Sequence, residues 1–127
     1  MTTTRVPLAP RILREEWAVL AEHPAPTGRF DADRVADLPE AARRRLRHAI
    51  EPGTPLWRGV ELTMTGHIKL GTWRPFTARE VLAPPHGFIW AATARVAGLP
   101  VTGFDRFSAG SGQMRWRLLG GIPLMSR

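Results

Sequence analysis

Cysteine is absent from the 127 residues, which rules out disulfides, thiolate metal sites and a cysteine nucleophile together. Tyrosine is absent as well, and lysine occurs once, at Lys69. No apolar run approaches the roughly 18 residues a helix needs to cross a bilayer. The opening Met1-Thr2-Thr3-Thr4-Arg5-Val6-Pro7 leads into no apolar core of signal-peptide length. A soluble, cytoplasmic chain without a transmembrane segment is the expectation. His23, His48, His67 and His86 fall into no metal-ligand spacing, so neither metal nor cofactor is expected.

Hydrophobic residues at 43% and charged residues at 23% are ordinary for a globular domain, and the length suits one. The net charge is +7, from 18 basic and 11 acidic side chains. A charge of that sign invites a nucleic-acid or anionic-membrane partner. Nearly all of it is arginine beside abundant Ala, Gly and Pro, the signature a GC-rich genome writes into any protein. The charge alone therefore defines no binder.

The clearest pattern runs from Val60 to Leu70. Val60, Leu62, Met64, Ile68 and Leu70 alternate with Glu61, Thr63, Thr65, His67 and Lys69, the period of a half-buried strand. Gly66 falls on its apolar side and predicts a bend or a close packing approach. Ahead of it, Leu13, Trp17 and Leu20 make the stripe of a short helix over residues 10–23, which His23-Pro24-Ala25-Pro26 ends. A second helical zone covers residues 31–50, with Asp31 capping a first turn and Pro39 opening the arginine-rich helix. Residues 73–83 are ambiguous: Thr77-Ala78-Arg79-Glu80 fits a capping box, but Pro84 follows closely, so an irregular or bulged strand is expected. Strands over 88–96, 101–108 and 113–119 follow, the first apolar on both faces and hence central.

The expected fold class is α+β. Two short N-terminal helices over residues 1–55 pack on a twisted antiparallel meander of about five strands over residues 56–127, a half-barrel being one form it could take. Leu13, Trp17, Leu46 and Ile50 would lie over the sheet.

Several segments carry a resemblance. They are Leu38-Pro39-Glu40, Pro52-Gly53-Thr54-Pro55, Trp73-Arg74-Pro75-Phe76-Thr77-Ala78 and Pro84-Pro85-His86-Gly87-Phe88-Ile89-Trp90. Leu99-Pro100-Val101-Thr102-Gly103-Phe104-Asp105-Arg106-Phe107, Met114-Arg115-Trp116-Arg117-Leu118-Leu119 and Ile122-Pro123-Leu124 complete the set. In this order they resemble a bacterial family of uncharacterised proteins, DUF6544 (also DUF6920). The resemblance implies no activity. Members of that family usually continue past the Ile-Pro-Leu segment, so this chain is expected to correspond to their N-terminal half.

No chemistry-bearing motif stands out. Gly110-Ser111-Gly112 is a hairpin tip, neither a G-x-S-x-G elbow nor a phosphate loop. Glu61, Glu80 and Asp105 are the carboxylates of the strand zone, and nothing in the sequence fixes two of them on one face. Asp105 has an alternative as a salt-bridge partner of Arg106, Arg115 or Arg117. The expected function is non-enzymatic: an aromatic-lined sheet face holding a lipid-like or other apolar small molecule. Phe88, Trp90, Phe107, Met114 and Trp116 would line it, and Asp105 and Arg106 would anchor the ligand's polar end. A plain hydrophobic core is the competing account of the same aromatics. Two other classes stay open: self-association or partner binding through an open sheet edge, and nucleic-acid or anionic-membrane binding through Arg43, Arg44, Arg45 and Arg47. The last has the least support of the binding classes.

Overall fold

The computed structural model describes residues 11–127 and divides them into two compact units, residues 11–22 with Gly59–Arg127, and His23–Arg58. Among the described residues there are two α-helices, α1 (Arg11–Leu20) and α2 (Glu40–Ala49), a 3-10 turn (Asp33–Val35) and six strands. The strands are β1 (Val60–Leu70), β2 (Thr72–Ala83), β3 (Gly87–Val96), β4 (Leu99–Ser108), β5 (Ser111–Leu118) and β6 (Ile122–Ser126). The class is α+β, as the periodicities require.

The smaller unit is held by backbone pairing at its base. Phe30 N–H donates to Thr54 O at 2.9 Å, Gly53 N–H to Phe30 O at 2.8 Å and Leu56 N–H to Gly28 O at 2.9 Å. Asp31 caps as expected: its Oδ1 accepts from Asp33 N–H at 2.9 Å and Arg34 N–H at 3.0 Å, opening the 3-10 turn. Phe30 and Val35 are its buried side chains. Pro39 stands one position earlier than expected, as the N-cap of α2 with extended backbone (ψ 145°). No residue of α2 is buried, and Leu46 and Ile50 are half-buried.

In the larger unit all six strands join one open antiparallel sheet in sequence order, β1-β2-β3-β4-β5-β6. Two devices make this ordering cheap. Val96 pairs with Leu99 and Ser108 with Ser111, so each hairpin turns in two residues. Those residues are Ala97-Gly98 (φ 50° and 80°) and Ala109-Gly110 (φ 49° and 75°), the doubly left-handed turn whose twist matches the strands.

Strand β2 is the main departure from the sequence reading. It is regular over its whole length, pairing one-to-one with β1 from Val60↔Leu82 to Leu70↔Thr72. The local capping-box signal loses to a position between two partner strands, since ladder hydrogen bonds on both sides outweigh a weak propensity. Pro75 is tolerated because the β2–β3 ladder runs only from Phe76 to Ala83, so its missing N–H is not needed there. Strand β6 makes the sheet six-stranded instead of five; it joins through a register shift at Trp116/Arg117.

Side chains on a strand alternate between faces, so the register assigns every one of them a side. Helix α1 lies on the side carrying Val81, Ala83, Ile89, Ala91 and Phe104. Its stripe is the expected one, with Leu13, Trp17 and Leu20 exposed by only 2%, 8% and 6%. On β1 this side carries the polar residues, and Glu61 is used there: Trp17 Nε1–H donates to its carboxylate at 2.9 Å. Arg79 lies over the same indole, 5.3 Å from the ring centroid. The helix-covered face is therefore the polar face of β1, and on β2 to β4 the face that carries Val81, Ala83, Ile89, Ala91 and Phe104. The apolar face of β1 belongs to the other side of the sheet.

Candidate functional site

That other side carries most of the aromatic side chains of the strands. Its residues fall into cross-strand rows. One row is Leu62–Glu80–Trp90–Asp105–Met114, and the next is Met64–Ala78–Ala92–Gly103–Trp116. Phe88 and Phe107 pair with each other in the row above, and Phe76 stands opposite Gly66 in the row below.

Large residues meet because small ones make room. A Cβ on Gly103 would lie 2.3 Å from Trp116 Cδ2, so the indole rests directly on the β4 backbone. It thereby crosses a whole strand to reach Trp90, with ring centroids 5.8 Å apart and planes at 55°. Phe76 seats over Gly66 in the same way, 3.2 Å from where a Cβ would stand, which is the close approach the sequence predicted there. Its ring reaches Trp90 from the opposite side at 6.1 Å and 59°. Trp90 Nε1–H points to Met64 Sδ at 3.5 Å. Tilted pairs of this kind contribute about 0.5–1.5 kcal/mol each beyond their buried area. Trp90 is the hub of the face.

Asp105 stands in this apolar setting. It lies opposite Trp90 on β3 and Met114 on β5. Its Oδ1 is shut off from solvent and has no hydrogen-bond partner. Burial pushes its carboxyl above the ordinary carboxylate value, opposed in part by a hydrogen bond from the Trp116 side chain. The salt-bridge alternative for Asp105 fails on geometry: Arg106, Arg115 and Arg117 all project from the opposite face by strand alternation. A stability prediction follows. With its folded value above the unfolded one, Asp105 binds its proton more tightly in the native state, so stability falls as pH rises through that window. Asp105→Asn is therefore expected to melt higher than the parent at neutral pH, with the gap closing in acid. A thermal denaturation series across pH checks this, and a lower melting point at neutral pH would show that the Trp116 hydrogen bond outweighs desolvation.

Six of the seven residues singled out from sequence therefore share one face: Phe88, Trp90, Asp105, Phe107, Met114 and Trp116. Arg106 does not. It projects to the helix side, where its Nη1 donates to Glu16 Oε1 at 2.6 Å and its Nε to Gln113 Oε1 at 3.1 Å. Arg106 anchors α1 and cannot anchor anything on the aromatic face. The sequence named Glu80 among the strand carboxylates without placing it; the β2–β3 register brings it to the same row as Asp105, on the far side of Trp90.

The helix side has its own cleft, of ≈ 480 Å³, between the end of α1 and the β2–β3 and β4–β5 turns. Glu16, Glu22, His86 and Ser108 are its polar lining. Glu16 Oε1 is already held by Arg106 and by the Ser108 hydroxyl, so the cleft's central carboxylate is committed to fixing the helix. Among the described residues no group of three or more His, Asp and Glu could hold a metal ion. In the arginine-rich helix, Arg43 pairs with Glu40 and donates to Ala36 O at 3.2 Å, which leaves Arg44, Arg45 and Arg47 exposed. No described helix is long and apolar enough to cross a membrane.

The fold and this face define a class: an open antiparallel meander with a helix on one side and an aromatic face on the other. Residues 28–127 match the model of the family of unknown function DUF6544, and the chain belongs to that family. The match begins ahead of Leu38-Pro39-Glu40 and runs to the last residue. No curated protein and no solved structure matches the chain.

Proposed function

We propose that the domain holds an apolar, lipid-like small molecule against the aromatic face, with Trp90 at the centre of the contact and Phe88, Phe107, Met114 and Trp116 around it. One observation carries this reading. Gly103 stands where any larger residue would block Trp116, Gly66 leaves close room for Phe76, and the rings they admit run continuously from Phe76 on β2 through Trp90 on β3 to Trp116 on β5. Against a simple core, these side chains are half-buried or exposed, Phe107 at 42%, and α1 packs on the opposite side. A contiguous apolar patch of this kind is the usual mark of a binding surface.

Trp90→Ala is expected to weaken uptake of a neutral apolar dye, N-phenyl-1-naphthylamine, by about tenfold, which is about 1.4 kcal/mol. Far-UV circular dichroism of the variant should match the parent. Unchanged dye uptake with the fold intact removes the reading.

An open-edge interaction module is the second reading, and β6 favours it. All five of its residues are exposed, Ile122, Leu124 and Met125 among them, and it pairs with β5 alone. An edge strand of that character is a template for another strand. Sedimentation velocity separates the two accounts: concentration-dependent dimers support the edge, and a monomer that takes up dye supports the face.

A further inference from the structure

Resting on the reading of the aromatic face as an apolar binding site, we infer that its ligand is an amphiphilic organic cation, an ammonium group on an apolar body, and not a fatty-acid anion.

The argument begins with how charge is distributed between the two faces. Strand alternation sends Lys69, Arg79, Arg95, Arg106, Arg115 and Arg117 to the helix side. The aromatic side receives Glu80 and Asp105, in one row, one strand away from Trp90 on either side. Two arginines share that side and both stand at its margins. Arg74 is opposite Ile68, beyond the last β2–β3 pair. Arg127 follows the outermost strand, its backbone paired with Met114. The centre of the face is thus acidic in a chain whose net charge is +7.

The ring faces have the same preference. The π-face of an indole is the negative end of its quadrupole and attracts a cation placed over it. Trp90 and Trp116 lie side by side, tilted by 55°, with carboxylates next to both. An ammonium group over these rings meets favourable charge from the indoles and from Asp105 and Glu80 together. A carboxylate in the same place meets repulsion from both.

Asp105 supplies the last point. Its Oδ1 is buried without a partner, and among the described residues no ion pair neutralises it. A buried polar atom left unsatisfied works against folding, and a bound cation would give it a partner. The aspartate that Arg106 was expected to accompany stands without it, and the two arginines on this side, Arg74 and Arg127, stay at its margins.

The test uses three ligands with the same chain and different heads: dodecyltrimethylammonium, dodecanoate and dodecanol. Each is titrated below its micelle threshold into the full chain by tryptophan fluorescence, at an ionic strength that screens the surface arginines. The expected order is ammonium tightest, with dodecanoate weaker by about tenfold or more, a difference of about 1.4 kcal/mol. Asp105→Asn should bring the ammonium and alcohol affinities close to equal, and Glu80→Gln carries the same comparison should the first variant fail to fold. Equal affinities in the parent, or preference for dodecanoate, overturn the inference and leave the apolar site standing. A preference for ammonium that survives both substitutions overturns the role of the carboxylates. Binding of none of the three, and no uptake of the neutral dye, removes the site itself.

Discussion

Gly103→Ala is expected to destabilise the domain by about 1–3 kcal/mol, the usual range for overpacking, and to part Trp116 from Trp90. The new Cβ would stand 2.3 Å from Trp116 Cδ2, 2.5 Å from its Cε3 and 2.6 Å from the Arg115 carbonyl oxygen. The indole can swing away. The carbonyl belongs to β5, which is laddered to β4 from Val101↔Leu118 to Ser108↔Ser111, so it moves only if the pairing does. Thermal denaturation should show a fall of several degrees. Near-ultraviolet circular dichroism should lose the signal of two coupled indoles, and dye uptake should fall with it. A parental melting point with the coupled signal retained would mean that Trp116 does not lie on the β4 backbone.

Ile89→Ala has the larger expected effect on the fold, about 2–5 kcal/mol, and a different signature. Ile89 is fully buried at 0% exposure, beside Val81 and under the Leu13–Trp17–Leu20 stripe of α1. Removing its side chain leaves a cavity between helix and sheet that close-packed neighbours fill only in part. The loss appears as a lower midpoint in urea denaturation, with the slope unchanged. The aromatic face should be spared, since adjacent strand positions point to opposite sides: the variant is expected to bind dye at temperatures where it is still folded. Gly103→Ala and Ile89→Ala thus separate the two faces, the first impairing binding and stability together, the second stability alone. An Ile89→Ala variant that folds but no longer binds dye would show that the faces are not independent.

Much of this architecture is legible in the residues. The alternation from Val60 to Leu70 marks β1 with its observed bounds, and the doubly apolar stretch around Ile89 and Ala91 marks a central strand. The spacing of Leu13, Trp17 and Leu20 marks the helix face that packs. What escapes the sequence is pairwise. Glu80 and Asp105 lie in different strands, and only the register of β2 and β4 against β3 puts both beside Trp90. Strand β6 escapes for another reason: all of Ile122–Ser126 is exposed, so there is no inside and outside to alternate between. The side on which α1 lands is also hidden, because β3 is apolar on both faces and β1 points its apolar residues away from the helix. The separation of Arg106 from Asp105 was available, since neighbours on a strand cannot share a face.

The order of the strands also has a consequence in time. Each strand pairs only with those next to it in sequence, so every hairpin can zip locally, without closing a long loop first. Among the described residues α1 makes contacts that reach far along the chain, as from Glu16 to Ser108. During synthesis the helix emerges before the strands, and its apolar stripe packs on strands made much later. Until β4 has joined the growing sheet, Leu13, Trp17 and Leu20 have no complete surface to bury against, and the stripe of the newborn helix stays open to water.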